Sequence, residues 1–189
     1  MNVGFHLAQS TLQLMSEIRS ISKIGSLVLS QQSNIITNVA SPEIDQLIED
    51  LIATADAANG VGIAAPQVAE SIRLFIVASR PSPRYPHAPK MEPTAMINPE
   101  IIDRSSEVIS GWEGCLSVPD LRGFISRHQS IEVKYLTKHG ELIQQELTGF
   151  IARIFQHELD HLDGILFPDR ILNSQDLITE AEYLKIAFD

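Results

Sequence analysis

His157 and His161 stand four residues apart, with Glu158 directly after the first, in the run His157-Glu158-Leu159-Asp160-His161. No other stretch constrains the fold as tightly. On an α-helix, residues i and i+4 lie one turn apart on the same face, so both imidazoles can reach one metal ion. Glu158 then approaches a water on that ion, the arrangement that metal-assisted hydrolysis needs. The surrounding residues suit a helix: Thr148 as its cap, Ile151, Ile154, Phe155 and Leu162 facing inward, and Gly164 as its stop. Two protein ligands hold an ion weakly. The chain must therefore fold so that a distant donor reaches this helix.

The chain has a single cysteine, Cys115, in Trp112-Glu113-Gly114-Cys115-Leu116-Ser117-Val118-Pro119. No intramolecular disulfide can form, which points to a reducing compartment. A lone cysteine is most often a small buried hydrophobe. Beside a helical pair of histidines, the reading as third ligand is preferred: a thiolate, two imidazoles and an open position make a four-coordinate catalytic site.

A third element is Gly60-Val61-Gly62-Ile63-Ala64-Ala65-Pro66-Gln67, rich in glycine and alanine and ending on an amide. With it the chain resembles the peptide deformylase family, whose motifs are G-x-G-x-A-A-x-Q, E-G-C-x-S and H-E-x-D-H-x-x-G, in that order. All are present without substitution, the last as His157, Glu158, Asp160, His161 and Gly164. The similarity spans roughly residues 21 to 171.

The resemblance implies removal of the formyl group from N-formylmethionine at the start of nascent polypeptides, releasing formate. Cys115, His157 and His161 would hold one divalent ion, ferrous iron in cells, with nickel, cobalt or zinc as replacements. Such an ion brings the pKa of its water toward neutrality. Glu158 would act as general acid–base. The side chain of Gln67 and the backbone N–H of Leu116 would stabilise the oxyanion. Gly60, Val61, Gly62 and Gly114 would let substrate backbone pair as an added strand. Arg122, Phe150, Arg153 and Ile154 fall at positions of the methionine pocket. Arg153 is odd there, unless its stem lines the pocket while its head reaches solvent. Asp160 either orients a ligand histidine or forms a structural ion pair, and Glu113 with Arg127 would brace the cysteine loop. His6, His87, His128 and His139 are read as surface residues and Trp112 as packing.

Two other functions compete. A zinc endopeptidase shares H-E-x-x-H but takes its third ligand downstream, where no histidine follows His161 and carboxylates such as Glu180 and Glu182 remain. A non-catalytic binding protein could keep the metal site, yet it needs neither Glu158 nor Gln67. Formate release, against cleavage of an internal peptide bond, separates the three.

With 189 residues, 44% of them hydrophobic and 20% charged, the expectation is one domain with a core. The net charge of −10 and the lack of a lysine-arginine cluster argue against direct nucleic-acid binding. No apolar run approaches the ~20 residues of a membrane span. Residues 1–20 lack the pattern of a secretory or transit leader, so a cytoplasmic monomer is expected, with an organellar location after transit-peptide removal as the alternative. Transient ribosome association is a further expectation, made less secure by two departures from the family: Gly25–Ser30 replaces a proline-arginine segment, and the tail is acidic.

The fold class expected is α+β, a single domain with mostly antiparallel sheets around a central metal-binding helix. The N-terminal residues 1–20 would form an extension or short helix, and residues 21–189 the catalytic domain. Within it, a helix over 42–59 is capped by Ser41 and stopped at Asn59-Gly60. A buried strand follows over 72–78. Residues 80–99, with six prolines, read as a solvated loop. A short strand falls within 95–102 and a hairpin turns at His139-Gly140. The last helix spans about 175–188 behind Ser174.

Overall fold

A computed structural model describes residues 15–81 and 85–187. Its helix α1 covers Pro42–Ala57, and the local chemistry explains both ends. The Ser41 hydroxyl accepts from the Ile44 N–H, Pro42 occupies the first turn, and Glu43 and Asp45 face the positive end of the helix. At the other end Asn59 adopts φ 53°, and the Gly60 and Asn59 N–H groups bond back to Ala55 and Asp56. This left-handed cap turns the chain directly into the glycine-rich motif.

Five strands form one antiparallel sheet in the order β1-β2-β3-β6-β7. They are Gly62–Ala64, Leu74–Val77, Thr94–Arg104, Ser130–Leu136 and Leu142–Thr148. The β6–β7 hairpin follows the alternation of Ile131, Val133 and Tyr135, all buried. Strand β3 is longer than expected. It accommodates Pro99 because the ladder breaks beside Asn98, which takes φ 49° and exchanges two hydrogen bonds with Ile36.

A second sheet of three strands has the order β4-β5-β8: Val108–Cys115, Val118–His128 and Leu177–Thr179. Helix α2, Gly149–Leu162, lies against the five-stranded sheet and also meets β5. Phe155, Ala152 and Leu162 pack with Phe75, Met96 and Val133 on one side of that sheet, and α1 covers the other. A smaller core of Leu29, Cys115, Ile125 and Phe167 lies at the three-stranded sheet. The α+β class expected is the class found.

Three local expectations need correction, and of one pair of alternatives a single course is seen. Residues 1–14 lie outside the described residues, while 15–21 are not helical, which leaves the extension. They run extended across α1, where Asp50 accepts from the Glu17 N–H and from Arg19. Thr148 precedes α2 without a side-chain cap bond. The C-terminal helix α3 spans Glu180–Ala187 only, because residues 177–179 are drawn into pairing with β5, and Thr179 rather than Ser174 accepts from a first-turn N–H. The proline-rich loop ends at Pro93 and is not wholly solvated: Ala88 is buried, and Ser79 closes the loop by hydrogen bonds with Pro89 and Met91.

Candidate metal centre and active site

Cys115 is the last residue of β4, and His157 and His161 occupy one face of α2. One potential ligand atom from each lies within 4.8 Å of the others, and Cys115 Sγ is 3.2 Å from His161 Nε2. Cys115 and His161 are buried, while the His157 side chain keeps 12% of its surface open toward a cavity. Burial alone would raise the Cys115 thiol. The adjacent His161 and His157 imidazoles instead hold it well below its ordinary value, so a thiolate is the favoured form.

The tautomer of His157 follows from its second nitrogen. Nδ1 lies 2.9 Å from Glu113 Oε2, and a carboxylate only accepts, so Nδ1 carries a hydrogen and Nε2 is the nitrogen turned toward Cys115 and His161. Glu113 also accepts from Arg127 Nε and Nη2, both at 3.0 Å, and from Arg153 Nη1 at 2.8 Å. Against its burial, these hydrogen bonds from His157 and Arg127 hold Glu113 far below the usual carboxylate range. Buried polar atoms normally find partners. His161 Nδ1 and Glu158 Oε2 have none among the described residues. One thiolate and two imidazoles fit a divalent transition ion of borderline softness.

Around this donor set lie the other groups. The carboxylate of Glu158 is 4% exposed and borders the cavity, and burial pushes its pKa up to about 7 despite the two imidazoles. Gly62 lies flat against it: a Cβ there would sit 2.9 Å from both the carboxyl carbon of Glu158 and a methyl of Ile154. The Gln67 amide is oriented at both ends. Its Oε1 accepts from the Ala64 N–H at 2.8 Å, and its Nε2 donates to Ser117 Oγ at 3.1 Å, with Cys115 Sγ at 3.5 Å. Ser117 itself donates its backbone N–H to that sulfur.

Val61, Gly62, Gly114, Leu116, Phe150, Arg153 and Ile154 line the cavity. The head of Arg153 is held by protein groups, with 14% of the side chain exposed. It turns beneath β4 and β5, donating to Glu113 and to the carbonyls of Ile125 and Ile109. Arg122 does not line the cavity. It is fully buried and paired with Glu180, which removes Glu180 as a third ligand. Asp160 bonds Arg127 and Arg170 rather than a ligand histidine, so the ion-pair alternative is the one present. Three residues at the site were not anticipated in these places: Glu113 on His157, Ser117 on Gln67, and Tyr85 at the cavity wall. The first two lie inside the cysteine motif and could have been suspected. Tyr85, in the proline-rich loop, carried no signal.

The polypeptide deformylase profile matches residues 18–176. Peptide deformylase 2 of Nostoc sp. (strain PCC 7120) is 59% identical over 170 residues, covering 90% of this chain and 95% of that protein. Peptide deformylase 2 of Shewanella oneidensis is 49% identical, covering 79% and 82%. Among solved structures, the Met-Ala-Ser-bound class I type b peptide deformylase of Acinetobacter baumannii superposes with a TM-score of 0.81 at 50% identity, covering 83% of this chain and all of that one. The peptide deformylase of Thermotoga maritima gives 0.74 at 38% identity, covering 83% and 99%. Matched by that family's model over most of its length and superposing on its solved members, the chain belongs to the polypeptide deformylase family. It is a metal-dependent hydrolase that removes the N-formyl group from nascent peptides.

Proposed function

We propose that Cys115, His157 and His161 hold one divalent cation, ferrous iron in the cell, and that Glu158, Gln67 and Leu116 carry the hydrolysis of an N-formylmethionyl peptide. The convergence of all these groups on one cavity is the observation that supports the reading most. A cation bound there supplies Lewis acidity, lowering the pKa of a water and polarising the formyl carbonyl.

The protein's own groups supply the rest. Glu158, poised near neutrality, takes a proton from the attacking water and returns it to the departing amine. One hydrogen of the Gln67 amide is engaged by Ser117; the other faces the sulfur side of the cavity, where the formyl oxygen would lie. Leu116 N–H is the second donor to the developing oxyanion.

Binding uses two sheet edges. Among the described residues strand β1 is an outer strand of one sheet and β4 of the other, and residues of both border the cavity. An extended peptide laid along Val61–Gly62 and Gly114 would add a strand there. Its first side chain would then meet Phe150, Ile154 and Val61. We further assign a cytoplasmic, monomeric enzyme that meets its substrate by transient association with the ribosome; among the described residues no helix is long and apolar enough to cross a membrane.

Formate release from a formyl-Met tripeptide, after anaerobic metal loading and metal analysis, tests the assignment. Glu158→Ala should retain about one ion per chain and lose ~10²–10⁴-fold in kcat. Normal turnover by that variant would falsify the assigned base.

A further inference from the structure

Among the described residues Arg122 is the largest fully buried side chain, and it takes no part in the chemistry above. Its guanidinium donates to Glu180 through Nε, and through Nη2 at 2.9 Å, a two-point pair with the first residue of α3. The ring of Tyr183, one turn on, covers the guanidinium at 4.6 Å. On its other side the group supports β4: a Cβ at Gly114 would sit 2.9 Å from Arg122 Cζ, so the strand that ends in Cys115 rests on this cation. The remaining direction is toward the cavity. There Arg122 Nη1 donates to the Tyr85 hydroxyl at 3.0 Å, and the Tyr85 ring lies 5.2 Å from the ring of Phe150 at the cavity wall.

A loop residue is thus fastened to a buried, doubly paired arginine, which the C-terminal helix holds in place. We propose that Tyr85 is a specificity-determining residue that extends the wall of the substrate side-chain pocket beside Phe150, and that Arg122 and Glu180 are positioning residues that set its ring. This rests on the placement of the substrate's first side chain against Phe150 and Ile154. A ring face there suits a flexible, polarisable thioether better than a branched or charged side chain. The C-terminal helix, far from the hydrolytic groups in sequence, then acts on affinity for substrate and not on the chemical step.

Steady-state kinetics of the metal-loaded full chain with a formyl-Met tripeptide test this. Tyr85→Ala should raise KM about tenfold with kcat within about twofold, a loss of uniform binding. Tyr85→Phe and Glu180→Gln should each raise KM about threefold. Because Glu180 acts through Tyr85, the double variant Tyr85→Ala/Glu180→Gln should be no worse than Tyr85→Ala alone. A lowered melting temperature with KM unmoved would mark Glu180 as merely structural and overturn its positioning role. Multiplying effects in the double variant would do the same. Tyr85→Ala, on a half-buried loop, keeps the test open if Glu180→Gln does not fold, and an unchanged KM there overturns the whole inference. Formate release by the wild-type chain is read separately: its absence counts against the proposed function, whereas turnover with an unmoved KM in Tyr85→Ala counts only against this pocket wall.

Discussion

Glu113 shows how much one side chain contributes here. Its two oxygens accept from His157 and two arginines, so it fixes a ring, anchors β4 to α2 and neutralises buried cations together. Glu113→Gln keeps the shape but removes the charge and presents N–H where acceptors are needed. Metal affinity, followed by competition with a chelating dye, should fall ~10–100-fold. Unfolding in urea should show a loss of roughly 3–5 kcal/mol from the uncompensated arginines. At Ser117, which holds the Gln67 amide, Ser117→Ala removes one hydrogen bond worth about 1 kcal/mol. Its kcat should drop about fivefold, well short of the ~10²–10³-fold expected for Gln67→Ala.

At the scale of elements, what could be read beforehand was whatever buries apolar residues at a regular period. Helices α1 and α2, strand β2 and the β6–β7 hairpin all do so, and their limits fall within a few residues of expectation. The β4–β5 hairpin escaped notice although it is the longest and carries the cysteine. One face holds Glu113 and Arg127 and the other buries Arg122, where a simple strand would place valine or leucine, and Gly111, Gly114 and Gly123 interrupt the rest. A strand that serves a charge network loses the alternation that would reveal it. Strand β8 escaped for another reason: three residues pair only because β5 offers an edge.

The contact of residues 15–21 with α1 makes a separate prediction about acid stability. Asp50 is nearly fully buried. Burial alone would raise its carboxyl, but the Glu17 N–H, Gln46 and Arg19 together lower it. A folded-state pKa below the unfolded one adds stability that is complete above the unfolded value of about 3.9 and disappears as pH falls through the folded value. Asp50→Asn should therefore cost about 1–3 kcal/mol at pH 7. The gap to wild type should close in urea melts as pH drops below about 4, and a gap that stayed constant with pH would contradict this account.

For the whole molecule, the two sheets are joined through the donor set: Cys115 comes from the three-stranded sheet, the histidines from the helix packed on the five-stranded one. An ion held between them ties the halves together. At a free concentration 100 times its Kd, it should add about 2.7 kcal/mol. Anaerobic removal by a chelator should then lower the melting temperature by about 5–10 °C, measured by circular dichroism. The proposed donor set was legible because the spaced motifs single out Cys115, His157 and His161, which the fold brings together. The part of the cavity wall that Tyr85 forms was not, since only tertiary folding brings that loop residue there and no local pattern marks it.

The extended segment that leaves α1 has a mechanical consequence. Ser22 N–H bonds the Gln67 carbonyl, Ile24 N–H the Ser117 carbonyl, and the Lys23 ammonium the Leu116 carbonyl, all within three consecutive residues. Two loops about fifty residues apart are thereby laced along one short thread, so that thermal jitter moves them as one body. A single proteolytic nick in that thread should set them wandering independently while leaving every reactive side chain intact.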